Sequence, residues 1–458
     1  MAATTRDYSL TGPESQRAVD AGLADAEWYR SPIPADELAA LTTRTDVRAG
    51  LDVLLWLALL VGAGVLAWST LGSWWSVPAF IVYGALYGGA ADPRWHECGH
   101  GTAFRTGWLN EIVYHPASFM LLREPTVWRW SHVRHHSDTI VVGRDAEIVF
   151  PRPIDVRGWA INLVGLTGVP AMIRRMVRHA RGRLDPDVAG YVPSGLHRRV
   201  VWEARIFLAI IVAVLTACAA TASVVPLLFV VGPTFFGAWL MAFFGTTQHA
   251  GLRENVLDHR WNTRTVYMNP IFRFLYLNMN YHVEHHMFPA VPYRNLPALH
   301  DAIRDDLPEP SPSTWAAYRE IWTAVRGQAA DPTFELDRHV PEGAAVADGP
   351  AVAAASGWTG VCADAELGGG MIREIDGPTG PVVVCRAADG TVHAVDGICT
   401  HSSRGRLAHG AVIGDEIECP KHNGRFRLSD GTATRSPANE PIAVREVRIQ
   451  AGEIQVRL

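Results

Sequence analysis

Two stretches of this chain contain no Asp, Glu, Lys or Arg, and nothing else in the sequence narrows its fold as much. Val53–Ala91 runs 39 residues without a formal charge, and Ile206–Leu252 runs 47. About 20 apolar residues of helix cross a bilayer, so each stretch is long enough to cross twice. Each has a turn signal near its middle, GSWWSVP at Gly72–Pro78 and ASVVP at Ala222–Pro226. The reading is two helical hairpins, hence four transmembrane helices. The alternative, a very apolar soluble core, rarely requires charge-free runs of this length. The polar start of the chain puts the first apolar run too late for a secretory signal.

Charge sets the expected sidedness. The hairpin turns are uncharged, whereas Asp92–Arg205 carries 16 Arg against 11 acidic residues. Positive loops stay cytoplasmic, so both termini and this central segment are expected on the cytoplasmic side of the inner membrane. Within it, AMIRRMVRHARGR places Met172, Ile173, Met176 and Val177 at helical spacing among Arg residues. That pattern fits an amphipathic helix lying on the membrane surface, or a cap helix with Arg on its solvent face. Net charge is −5, so the basic field of a nucleic-acid binder is missing and no nucleic-acid partner is expected. The 6 Cys are too few for a disulfide framework in a chain of this length.

The 19 His are clustered. HECGH sets His96 and His100 at i, i+4; WSHVRHH sets His132, His135 and His136 at i, i+3, i+4; NYHVEHH repeats that spacing with His282, His285 and His286. Residues three and four apart share a helix face, so each box projects several imidazoles one way. Neutral imidazole suits iron, copper, zinc and nickel. Eight box His exceed what one ion accepts, which points to a two-metal site. HECGH alone also fits the zinc-peptidase pattern with Glu97 as general base, but that leaves the other boxes without a task. Glu97 is better read as a hydrogen-bond partner of a ligand imidazole. Asp145 and Glu147 in GRDAEI, and Glu284 inside the third box, are further candidates to anchor ligand imidazoles. His115, His179, His197, His259, His300, His339, His393 and His409 lack box spacing and are read as structural or exposed, and Cys98 as packing.

The order HECGH, WSHVRHH, NYHVEHHMFPAVPYRNLP, interleaved with two apolar hairpins, resembles the membrane fatty-acid desaturase and hydroxylase family over roughly Asp46 to Arg326. The resemblance implies a di-iron centre that uses dioxygen on unactivated C–H bonds, with the eight box His as ligands. It also implies a ninth ligand near the end of the last transmembrane helix, where TTQHAG places His249. HECGHGTAFRT and VPYRNLPALH look most like the rhizobitoxine-desaturase branch, whose substrates can be small and amino-acid-like, so a lipid or a small amphipathic molecule is expected.

After about Gly327 the composition turns to small residues, as in a linker. Beyond it the periodicity alternates, and Asp389-Gly390 and Ala451-Gly452 sit between strand-like runs as hairpin turns would. The domains read as 1–45, a polar arm; 46–326, a membrane domain; 327–355, a linker; and 356–458, a small all-β domain. In the last, Cys399-Thr-His401 is followed after 17 residues by Cys419-Pro-Lys-His422. Two thiolates and two imidazoles are what a Rieske [2Fe–2S] centre requires; a Cys2His2 zinc site is the rival. CPKHNGRFRLSDG resembles the Rieske ferredoxin family. Cys362 and Cys385 fall in strands and read as buried thiols.

The expected protein is a multi-pass α-helical membrane domain, four transmembrane helices plus cytoplasmic and interfacial helices, followed by a Rieske domain. The expected activity is an oxygen-dependent desaturase whose fused cluster relays electrons. A hydroxylase on the same scaffold and a non-catalytic electron-transfer protein are the alternatives. No G-x-G-x-x-G follows a strand, so a separate NAD(P)H-dependent flavin reductase or equivalent donor is expected as partner.

Overall fold

The structure is a computed structural model and describes residues 6–24, 26–148, 150–342, 357–401, 405–421, 423–435 and 437–458. Most of the linker reading, at 343–355, and the His422 assignment lie outside the described residues. The chain divides into two compact units. One comprises Met1–Leu23, Arg44–Val283 and Glu309–His339; the other comprises Ala24–Thr43, Glu284–Pro308 and Val340–Leu458.

The first unit is helical. The charge-free stretches each begin with a long helix: α1, Asp46–Ser69, then later α6, His197–Thr221. Both are long and apolar enough to cross a membrane, with mean hydropathy 2.2. They leave large apolar side chains uncovered, among them Leu54, Val61, Val65, Ile206 and Val212. At the first hairpin turn Trp74 is 91% exposed. A soluble protein rarely leaves so much apolar surface contiguous.

The return leg of each hairpin is interrupted. After the first turn come α2, Ser76–Gly84, a π-helical segment, Ala85–Gly89, and α3, Ala91–His100. After the second come Val225–Val230, Pro233–Phe236 and α7, Ala238–His249. Among the described residues, then, two single helices meet the length and hydropathy needed for a crossing, where the sequence suggested four. The breaks fall at Gly and Pro, and the glycines let the two return legs touch. A Cβ on Gly84 would stand 2.6 Å from the Phe236 ring, and one on Gly89 would stand 2.5 Å from Leu240. A Cβ on Gly237 would run into the Gly84 carbonyl. Gly237→Ala is therefore expected to cost about 1–3 kcal/mol, the usual penalty of overpacking. Denaturation in detergent micelles measures it, and an unchanged midpoint would refute the close crossing.

Between the hairpins, α4, Pro125–Ser137, and α5, Gly168–Ala180, pack on this framework. Pro125 opens α4 at a position where its missing N–H costs nothing. The next N–H, of Thr126, donates to Glu203 Oε2 at 2.8 Å, fastening α4 to α6. In α5, Val169 and Met176 are buried against Leu122, Ala204 and Phe207 while Arg174, Arg175 and Arg178 face outward. Of the two readings of this segment, the packing matches the cap helix. The short helix α8, His282–Met287, crosses from one unit into the other.

The second unit holds helix α9, Leu296–Ile303, and the all-β domain. Its strands are β1, Trp358–Ala363; β2, Ile372–Gly377; β3, Gly380–Arg386; β4, Val392–Asp396; β5, Ala411–Ile413; β6, Glu416–Glu418; β7, Arg425–Arg427; β8, Ala433–Arg435; β9, Val444–Arg445; β10, Val447–Gln450; and β11, Glu453–Arg457. They form sheets ordered β1-β11-β10, β2-β3-β4-β9 and β5-β6-β7-β8. Gln450 pairs with Glu453 across Ala451 and Gly452, both at positive φ, a two-residue turn that follows the strand twist. Asp389-Gly390 lies in the longer loop that joins β3 to β4, with Gly390 alone at positive φ. The middle of strand β3, Val382–Cys385, is apolar because both its faces are covered. Val382 and Val384 point into one core with Ile454 and Val456, and Val383 and Cys385 into another with Leu407, Ile417 and Phe426, as the two-residue side-chain period requires.

Candidate metal centre

Helix α3 carries His96 and His100 on one face and stops at Gly101, which takes φ +69° as a left-handed cap. Helix α4 carries His132, His135 and His136, all buried. His249 ends α7, and His282 opens α8. These side chains sort into two groups. His96, His100, His132 and His136 bring ring nitrogens within 4.8 Å of one another; His135, His249 and His282 do the same. His132 Nε2 lies 3.0 Å from His100 Nε2 and 3.1 Å from His136 Nε2. Helix α8 continues into His285 and His286, also buried, which belong to the second unit.

The rings are aimed from behind. Asp145 Oδ2 accepts from His135 Nδ1 at 2.8 Å and Glu147 Oε2 from His132 Nδ1 at 2.9 Å. The Asn262 carbonyl accepts from His249 Nδ1 at 2.9 Å. In each case the proton is fixed on Nδ1 and the lone pair falls on Nε2, which is how ligand histidines are oriented in metal sites. Asp145 also builds its own surroundings: Oδ2 accepts from Ile140 N at 2.8 Å, and Oδ1 from Glu147 N at 2.7 Å. Burial, then the nearby imidazoles, hold His132 well below the ordinary histidine value, so it stays neutral. Burial pulls His135 the same way, but the Asp145 carboxylate outweighs it and the net shift is upward.

The other candidates fall differently. Glu97 is fully buried on α3. Glu284 accepts from His300 Nδ1 of α9 at 2.5 Å. Sequence spacing gave His300 no task, and the same holds for His179, whose Nδ1 donates to Glu124 at 2.8 Å and so ties α5 to the start of α4. Only a fold that returns distant segments to each other reveals such pairs.

Beside the histidines lies a cavity of about 520 Å³, reached by His96, His132, His135, His249 and His282. Trp95, Leu122, Val127, Trp128 and Met241 give it mostly apolar walls, and Arg123, Glu124, Arg152 and Glu254 add charge.

In the β domain, Cys399 lies between β4 and β5 and Cys419 between β6 and β7. Both thiols are buried in one apolar cluster with Leu407, Phe426 and Leu428. Each loop is closed by backbone bonds, Cys399 N to Gly405 O and Cys419 N to Gly424 O, both 2.8 Å. His401 is exposed. Two converging thiols with a surface imidazole fit a [2Fe–2S] cluster held at the domain edge. Two groups of imidazoles, each with one ring backed by a carboxylate, fit two iron ions.

Comparison with known proteins finds two families along the chain. The Rieske [2Fe-2S] domain family matches residues 357–448. Over 100 residues the chain is 36% identical to ferredoxin CarAc of Metapseudomonas resinovorans, covering 22% of this chain and 92% of that protein. It is 41% identical over 61 residues to cholesterol 7-desaturase nvd of Xenopus laevis, 13% of either chain. Among solved structures, the complex of reduced oxygenase and oxidized ferredoxin in carbazole 1,9a-dioxygenase is similar at 35% identity. It covers 22% of this chain and 94% of that one, with a TM-score of 0.22. The fatty acid desaturase family matches residues 72–318, more than half of the chain and every histidine of the two groups. The protein is an oxidoreductase that belongs to the fatty acid desaturase family and carries a C-terminal Rieske domain.

Proposed function

We propose that this protein is a membrane-embedded, dioxygen-dependent desaturase of a lipid or small amphipathic substrate. Its Rieske domain receives electrons from a separate NAD(P)H-dependent flavin reductase. The observation that carries the reading is the pair of buried imidazole groups beside a largely apolar cavity. In this reading His285 and His286, three and four residues beyond His282 on the same helix, complete the ligand set. Cys399, His401, Cys419 and His422 hold the cluster. When bound, the iron pair supplies dioxygen chemistry able to remove hydrogen from an unactivated C–H bond, and the cluster supplies electrons singly.

The chain's own residues do the positioning. Trp95, Trp128 and Leu122 hold an apolar segment of the substrate against the histidines and exclude water, and Arg123 and Glu124 meet its polar end. A cavity of this size suits a compact ligand. Helices α1 and α6 span the bilayer, and the interrupted return legs complete two hairpins. The Arg-rich segment between the hairpins favours the cytoplasmic side for the histidines, both termini and the Rieske domain.

The test supplies the membrane-bound protein with reductase and NAD(P)H, feeds it candidate lipids and small amphipathic molecules, and weighs the products. Loss of two hydrogens is expected. Gain of one oxygen atom would make the protein a hydroxylase, and failure to consume dioxygen with any substrate would refute the catalytic reading.

A further inference from the structure

We infer that residues 24–43 form a docking strap that seats the Rieske domain on the chain segment following the third histidine box. The strap, the segment Glu284–Pro308 and the Rieske domain form one compact unit, although they are far apart in sequence. The strap is fastened to Glu284–Pro308 at both ends. Tyr29 Oη and Ser31 Oγ donate to Asp306 Oδ2 at 2.7 and 2.5 Å, and Asn295 Nδ2 donates to the Leu41 carbonyl at 2.7 Å. Ser31 N points at Met287 Sδ, 3.2 Å away, so the strap meets the chain one residue past His286.

Its other side holds the Rieske domain. The Arg30 guanidinium stacks 4.3 Å above the Phe288 ring and donates from Nη1 to the His409 carbonyl at 2.8 Å. One side chain therefore touches the residue two beyond the third box and the Rieske domain at once. Glu27 stands 3.8 Å from Arg406, which also pairs with Glu374 of β2. Both Rieske contacts fall at the foot of the loop that carries Cys399 and His401. That foot is closed by the Ile398–Arg406 bridge and by Leu407 N donating to Gly397 O at 2.8 Å. The Glu27–Arg406 pair is largely exposed and weak by itself. Arg30 is the central contact, because its planar cation both stacks on an aromatic face and reaches a backbone oxygen, which a lysine does not reproduce.

A covalent tether alone would confine the domain without orienting it. The strap adds orientation, holding the foot of the first cluster loop and Phe288 on the one side chain of Arg30. This docking does not depend on the proposed desaturase chemistry and is tested apart from it.

A protease site placed within residues 343–356 of the full-length holoprotein allows the tether to be cut after folding, followed by gel filtration in detergent. With the native strap the Rieske fragment should stay with the membrane fragment. Glu27→Ala with Arg30→Ala should weaken retention by about tenfold or more, as loss of a central Arg contact does at interfaces, and Arg30→Lys should fall between. The cluster's spectrum reports that the fragment remains folded in each case. Prompt release with the native strap, or equal retention in the double variant, would overturn the proposal. Retention without turnover of any substrate would leave the strap standing and remove the desaturase reading instead.

Discussion

Replacing His132 by alanine is expected to empty the group formed with His96, His100 and His136 and to reduce turnover to background. His132 is central to that group, its Nε2 lying 3.0 and 3.1 Å from the Nε2 atoms of His100 and His136. Its Nδ1 partner Glu147 also accepts from Ser131 Oγ at 2.6 Å, which holds the carboxylate behind the ring. Iron per chain, measured on purified protein, should fall while the Rieske signal stays whole. Asp145→Ala, which leaves every ligand imidazole present, should act more mildly. Outer partners of ligand histidines typically contribute 10–100-fold in metal affinity or activity. Wild-type iron content in the His132 variant would dismiss the group as a metal site.

His401→Ala should separate the two halves of the protein. The side chain is exposed, so its loss leaves the buried core around Cys399 and Cys419 intact while removing an imidazole from the cluster. The cluster's electron paramagnetic resonance signal should vanish and the iron held by the helical unit should remain. Turnover driven by NAD(P)H and reductase should drop to background. A Rieske domain supplied separately should restore part of it, and less efficiently, because the effective concentration of order mM that a short flexible tether gives is lost. Undiminished turnover with the native reductase would mean that electrons bypass the Rieske domain.

What the sequence reveals depends on the range of each interaction. The boxes are legible because helical spacing of three and four residues is written directly into WSHVRHH and NYHVEHH. Asp145 and Glu147 are legible because the chain turns back at once after α4. The hairpin turns of the β domain declare themselves through Asp389-Gly390 and Ala451-Gly452. The interruptions of the return helices are harder to see, since an uncharged run looks the same whether or not its helix is broken. Gly84, Gly89 and Gly237 mark the breaks, but their reason lies in the opposite leg. The pairs Glu124–His179 and Glu284–His300, and the strap contacts of Arg30, join residues that only the finished fold brings together, and local pattern carries no trace of them.

Asp145 has a wider reach than its single bond to His135 suggests. Through Glu147 N it also fixes the carboxylate that aims His132, and those two imidazoles belong to different groups. The two metal positions thus hang from one bracket of three residues in a single loop. A change at Asp145 therefore reaches both groups at once, whereas one at Glu147 reaches only the ring of His132.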